Sequence, residues 1–134
     1  SHDDIARAVA SAARRGVEVR VIIPSRGDST LMDIGNLATA RGLIRAGARV
    51  WQYPRMTHLK AIVCDCWASV GSANLDTLSM RLNRELNIAF ADPATVRELE
   101  KLVFLPTFRE SRRMNLKATE SLLAPFAETL ADQL

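Results

Sequence analysis

Apolar residues recur along this chain at two periods, and the switch between them marks the elements. Ile5, Ala8, Val9, Ala12 and Ala13 are spaced three and four apart, one face of an α-helix, and the stripe runs into Arg14-Arg15-Gly16. Basic residues in a last turn followed by glycine are a helix stop. Val17 to Ile23 predicts a strand stopped by Pro24, and residues 25–30 form a polar loop. Leu31 to Ala46 predicts a second helix, capped by Gly47, and Val50 to Tyr53 the next strand. The apolar runs Ala61 to Cys64 and Ala68 to Ser72 flank Asp65-Cys66-Trp67 and predict a hairpin, with Arg84 to Phe90 as a last strand. Asp92-Pro93 supplies an N-cap and a first-turn proline to a helix whose buried face is Val96, Leu99 and Val103. This order of elements predicts an α/β fold, a mixed sheet flanked by helices.

Residues 105–134 predict a helical tail. Leu116, Leu123, Phe126, Leu130 and Leu134 fall near helical spacing, with Pro125 as an interruption. The stripe suits packing on the domain's own sheet or on a further lobe. Arg109, Arg112, Arg113 and Lys117 would suit a lipid surface, but Glu110, Glu120 and Glu128 oppose it.

The middle of the chain concentrates the polar chemistry: His58-Leu-Lys60-Ala-Ile-Val-Cys-Asp65, then Gly71-Ser72-Ala-Asn74-Leu-Asp76, then Asn83-Arg-Glu85-Leu-Asn87. On a strand, His58 and Lys60 share one face, so both can reach one phosphate. Ser72 and Asn74 follow at the end of the second run, and Glu85 stands at the mouth of the third. Taken singly, each has an ordinary reading as a solvated or turn residue. Together they supply an imidazole, an ammonium, a hydroxyl and a carboxamide, the groups that attack a phosphodiester through nitrogen and hold its non-bridging oxygens. Asp65 points away from His58 on the alternation and reads as a structural turn residue.

The blocks H-x-K-x4-D and G-S-x-N resemble the HKD signature of the phospholipase D superfamily. The phrases Trp67 to Ser79, Leu82 to Asn87, Ala12 to Pro24 and Ala46 to Tyr53 resemble, more narrowly, the C-terminal half of bacterial cardiolipin synthases. The likeness spans about residues 4 to 105, and within it Asp65 and Gly71 are structural members of the motif. One departure is a turn with five residues between Asp65 and Gly71 where the common pattern has six. The loss falls in the hairpin turn and spares the site.

That resemblance implies a phospholipase D-like lobe acting as a phosphatidyltransferase through a phosphohistidine intermediate. His58 would be nucleophile or general acid, Lys60 and Asn74 would hold the equatorial oxygens, Ser72 would add a hydroxyl contact, and Glu85 would orient the imidazole. The implied partners are a phospholipid substrate such as phosphatidylglycerol, a second HKD lobe in cis or in a homodimer, and a membrane surface. Nucleic acid enters only under the alternative, in which a phospholipase D or a nuclease hydrolyses a phosphodiester. The implied location is the cytoplasmic face of the inner membrane, held peripherally or by a segment outside this chain.

Length bears on that architecture. At 134 residues, the chain carries one HKD motif and no internal repeat, because His2 has no lysine two residues on. The expectation is therefore a single lobe, residues 1–134, cut from a two-lobed enzyme and silent in isolation. A net charge of +3 fits an anionic substrate or surface and falls short of a dedicated nucleic-acid binder. Cys64 and Cys66 suit neither a mutual disulfide nor a zinc set, and no carboxylate cluster accompanies the motif, so free thiols, no metal and no cofactor are expected.

Overall fold

The computed structural model describes residues 2–72 and 86–127. In chain order these form α1 (His2–Arg14), β1 (Arg20–Pro24), α2 (Thr30–Arg45), β2 (Arg49–Tyr53), β3 (Lys60–Cys64), β4 (Trp67–Gly71), β5 (Asn87–Phe90) and α3 (Pro93–Leu99). A π-helical turn (Glu100–Phe104), α4 (Leu105–Glu110), β6 (Arg112–Met114), α5 (Leu116–Leu123) and a 3-10 turn (Ala124–Phe126) complete the order. Two compact units result. One is built from residues 57–110 with the first turn of α1, the other from residues 6–56 and from residue 111 onward.

In the second unit β1 and β2 run parallel, with Val21 opposite Val50, and β6 joins β2 antiparallel, with Met114 opposite Val50. Parallel neighbours need a crossover, and α2 is that crossover. Its N-cap is Ser29, whose hydroxyl accepts from the Met32 N–H at 3.3 Å. The chain leaves the helix through Gly47 at φ +102, a conformation that L side chains rarely adopt. Leu37, Ala40 and Leu43 of α2 are buried with Ala10 and Ala13 of α1 against Val50 and Met114, and this cluster is the core of the unit. Arg41 of α2 meets Glu120 of α5 at 3.3 Å.

The first unit holds the hairpin. Strand β4 lies between β3 and β5, antiparallel to both. The turn between β3 and β4 contains two residues, since Cys64 pairs with Trp67. Asp65 occupies it at φ 51, a left-handed conformation that aspartate tolerates better than most side chains. Helix α3 packs on β4, and Ala68 and Val96 are fully buried there. Asp92 caps α3, accepting from the Thr95 N–H at 3.0 Å.

The α/β class and nearly every expected element are present, with three differences. The strands form two three-stranded sheets, not one, β1-β2-β6 and β3-β4-β5. Strand β6 lies in the stretch expected to be a helical tail; three residues are too few to show a period, and Met114 is drawn in by the buried surface at Val50. Strand β1 begins at Arg20 and includes Pro24. The positions Leu130 and Leu134 of the expected tail stripe lie outside the described residues.

Candidate active site

His58 stands just ahead of β3 rather than within it, and Lys60 is the first residue of the strand. The Leu59 N–H donates to the Thr57 hydroxyl at 3.1 Å, which ties together the residues on either side of His58. Imidazole and ammonium meet as the sequence spacing implied: Lys60 Nζ lies 3.0 Å from His58 Nδ1. His58 is exposed and Lys60 half-buried.

This contact has a defined sense. A lysine ammonium has donors and no acceptor, so Nδ1 accepts, and the proton of the neutral ring then sits on Nε2. In that tautomer His58 can donate to, or protonate, an oxygen at Nε2. The remaining ammonium hydrogens are available to a non-bridging phosphoryl oxygen. Attack by Nε2 itself requires the ring proton on Nδ1, and therefore an acceptor such as a carboxylate in place of the ammonium. Glu85, the residue the sequence suggests for that job, lies outside the described residues, as does Asn74.

Ser72 follows β4, and its hydroxyl is engaged with the backbone of residue 86. The Leu86 N–H donates to Ser72 Oγ at 3.0 Å, Oγ donates to the Leu86 carbonyl at 3.3 Å, and the Ser72 N–H donates to the same carbonyl at 3.0 Å. These bonds stitch the end of β4 to the start of β5, immediately after Glu85. Asp65, read as a turn residue, is exposed at the hairpin tip, five residues along the chain from Lys60.

Gly71 has a spatial reason. In register it faces Lys60 on one side and Asn87 on the other, so the three residues form a row across β3, β4 and β5. Residues directly opposite in antiparallel strands project to the same face. A Cβ at Gly71 would collide with the Asn87 carboxamide and would come within 2.5 Å of the Leu86 carbonyl. Only glycine lets β4 and β5 close with Asn87 in place. The sequence reading gave Asn87 no role, although it stands two residues after Glu85 in the same polar phrase.

Cys64 and Cys66 are free and exposed. Among the described residues, no three His, Cys, Asp or Glu side chains are grouped to hold a metal ion, and no helix is long and apolar enough to cross a membrane.

Comparison with known proteins adds an independent line. The sequence profile described as "Cardiolipin synthase, PLD-like domain" matches residues 1–103. "Probable cardiolipin synthase YwiE" of Bacillus subtilis is 38% identical over 101 residues, covering 74% of this chain and 20% of that protein. Cardiolipin synthase B of Escherichia coli K12 is 40% identical over 87 residues, covering 63% of this chain and 21% of that protein. The chain thus spans about a fifth of the length of these relatives. Among solved structures, Nuc, a phospholipase D family member from Salmonella typhimurium, superposes with a TM-score of 0.69 over 84% of this chain and 74% of that one, at 20% identity. At that identity the likeness concerns the fold.

Proposed function

The chain belongs to the phospholipase D-like domain family of the cardiolipin synthases, and from that premise we propose that it is one catalytic lobe of a phosphatidyltransferase. A second HKD lobe, in the same polypeptide or in a second copy, completes the site. The observation that carries the reading is the 3.0 Å contact between Lys60 Nζ and His58 Nδ1 at the mouth of β3. It joins the ammonium that neutralises a phosphoryl oxygen to the ring that moves the proton.

In the proposed reaction one histidine of the pair attacks the phosphorus of phosphatidylglycerol. The P–O bond to the headgroup glycerol breaks, and the other histidine protonates the departing alkoxide. The hydroxyl of a second phosphatidylglycerol then attacks the phosphohistidine. Its proton goes to the histidine that had acted as acid, and the nucleophile is restored. Lys60 and Asn74 hold the non-bridging oxygens through both steps, and Glu85 orients the imidazole. Substrate and product are lipids, which places the work at a membrane surface, on our reading the cytoplasmic face of the inner membrane.

Hydrolysis is the second reading, since the exposed position of His58 gives water access to the same phosphohistidine. Product analysis on phosphatidylglycerol vesicles, with the two-lobed enzyme, separates them. Cardiolipin with release of glycerol supports transfer; phosphatidic acid alone supports hydrolysis and overturns the transferase reading.

A further inference from the structure

We infer that Asn87 is a further substrate-contacting residue, its carboxamide paired with the Lys60 ammonium to hold one phosphoryl group above Gly71. The inference rests on the phosphoryl-transfer reading and extends it to a residue that the motif does not include.

Three observations carry it. First, the register is direct: Lys60 faces Gly71 and Gly71 faces Asn87, so the flanking side chains project to one face of the sheet with glycine between them. Second, the middle of the row is emptied of side chain and the Asn87 carboxamide is seated over it, its Oδ1 in the space a Gly71 Cβ would need; a half-turn of the amide exchanges that oxygen for the NH2 group, the orientation a phosphate selects. Strands lie about 4.8 Å apart, so Lys60 and Asn87 are separated at the backbone by roughly twice that. A carboxamide leaning over the central strand narrows the gap to the scale of a phosphoryl group. Third, the start of β5 is fixed by the three hydrogen bonds between Ser72 and the Leu86 backbone, so Asn87 is held at the end of a tethered strand.

The chemistry is complementary. Lysine offers a point charge with several donors, while a carboxamide offers two N–H donors without charge. Together they bind two oxygens of one phosphate without placing a second cation beside His58. The same geometry changes the role of Ser72. Its hydroxyl bonds the Leu86 backbone in both directions, which makes it a positioning residue for Asn87.

The test measures binding of inorganic phosphate to the chain by calorimetry, for the wild type and for Lys60→Ala, Asn87→Ala and Asn87→Leu, each checked for an unchanged circular dichroism spectrum. Hydrogen bonds to a charged group set the scale, so Asn87→Ala weakens binding by roughly tenfold to a hundredfold. Asn87→Leu distinguishes contact from packing. It preserves the size of the group over Gly71 but carries neither donor nor charge, so contact predicts a loss as large as with alanine. Packing alone predicts that leucine binds as the wild type does. Loss with Lys60→Ala, but binding within twofold of wild type for either Asn87 variant, overturns the inference and leaves the phosphoryl-transfer reading standing. Absence of phosphate binding by the wild-type chain overturns the phosphate seat itself.

Discussion

Lys60 Nζ and His58 Nδ1 lie 3.0 Å apart across a single intervening residue, within hydrogen-bond distance of each other. With the ammonium on Nδ1 and the ring proton on Nε2, neither nitrogen of the neutral ring offers a lone pair to a metal. A divalent cation at His58 would have to displace the ammonium and approach it against Coulomb repulsion, with no grouped carboxylates among the described residues to offset the cost. Turnover by the two-lobed enzyme is therefore expected to be unchanged in EDTA. Activity lost in chelator and restored by Mg²⁺ would contradict this account of the site.

Gly71→Ala tests the closure of β4 on β5. The new Cβ meets the Asn87 carboxamide and, at 2.5 Å, the Leu86 carbonyl. A side chain can rotate away, but the backbone carbonyl is held by Ser72. The expected loss is about 1–3 kcal/mol, typical of overpacking, read from urea denaturation of the chain. Adding Asn87→Gly to Gly71→Ala should recover only part of it. Full recovery would mean that the carbonyl yields and the stitch is weaker than described.

Asp92 sets a pH dependence away from the site. Hydrogen bonds from the Thr95 hydroxyl and, next, the Thr95 N–H hold its carboxyl below the ordinary aspartate value. A lowered folded-state pKa means that the cap contributes fully above the unfolded value and is lost as pH falls through the folded one. Stability should therefore fall below about pH 4, and Asp92→Asn, which caps without titrating, should flatten that part of the profile. An identical acid limb in wild type and variant, in thermal melts from pH 6 to pH 2, would remove Asp92 from the explanation.

Much of the site could be read from the sequence because its signals are local. The H-x-K spacing brings two side chains together whether or not the first of them is in a strand, and His58 is in fact just outside it. The hairpin followed from two short apolar runs around Asp65, and α3 from Asp92-Pro93. What could not be read depends on pairings between distant segments. Strand β6 is only three residues long and exists because Met114 fits beside Val50, and no window of sequence encodes that contact. The engagement of Ser72 with Leu86, and the row formed by Lys60, Gly71 and Asn87, required the β4–β5 register. Hydroxyl chemistry suggested a phosphate contact for Ser72, and its bonds to the Leu86 backbone could not be read beside it.

The central claim is that His58 takes part in the bond-making chemistry of phosphodiester transfer. It is tested most directly by the turnover of phosphatidylglycerol by the two-lobed enzyme carrying His58→Asn, with folding verified by an unchanged thermal melt. His58 is exposed, so the substitution should leave stability intact. Removing a general acid or nucleophile costs on the order of 10²-fold or more, so transfer should fall below about one per cent of wild type. A variant that keeps more than about a tenth of the wild-type rate, against that expected loss, would contradict the account.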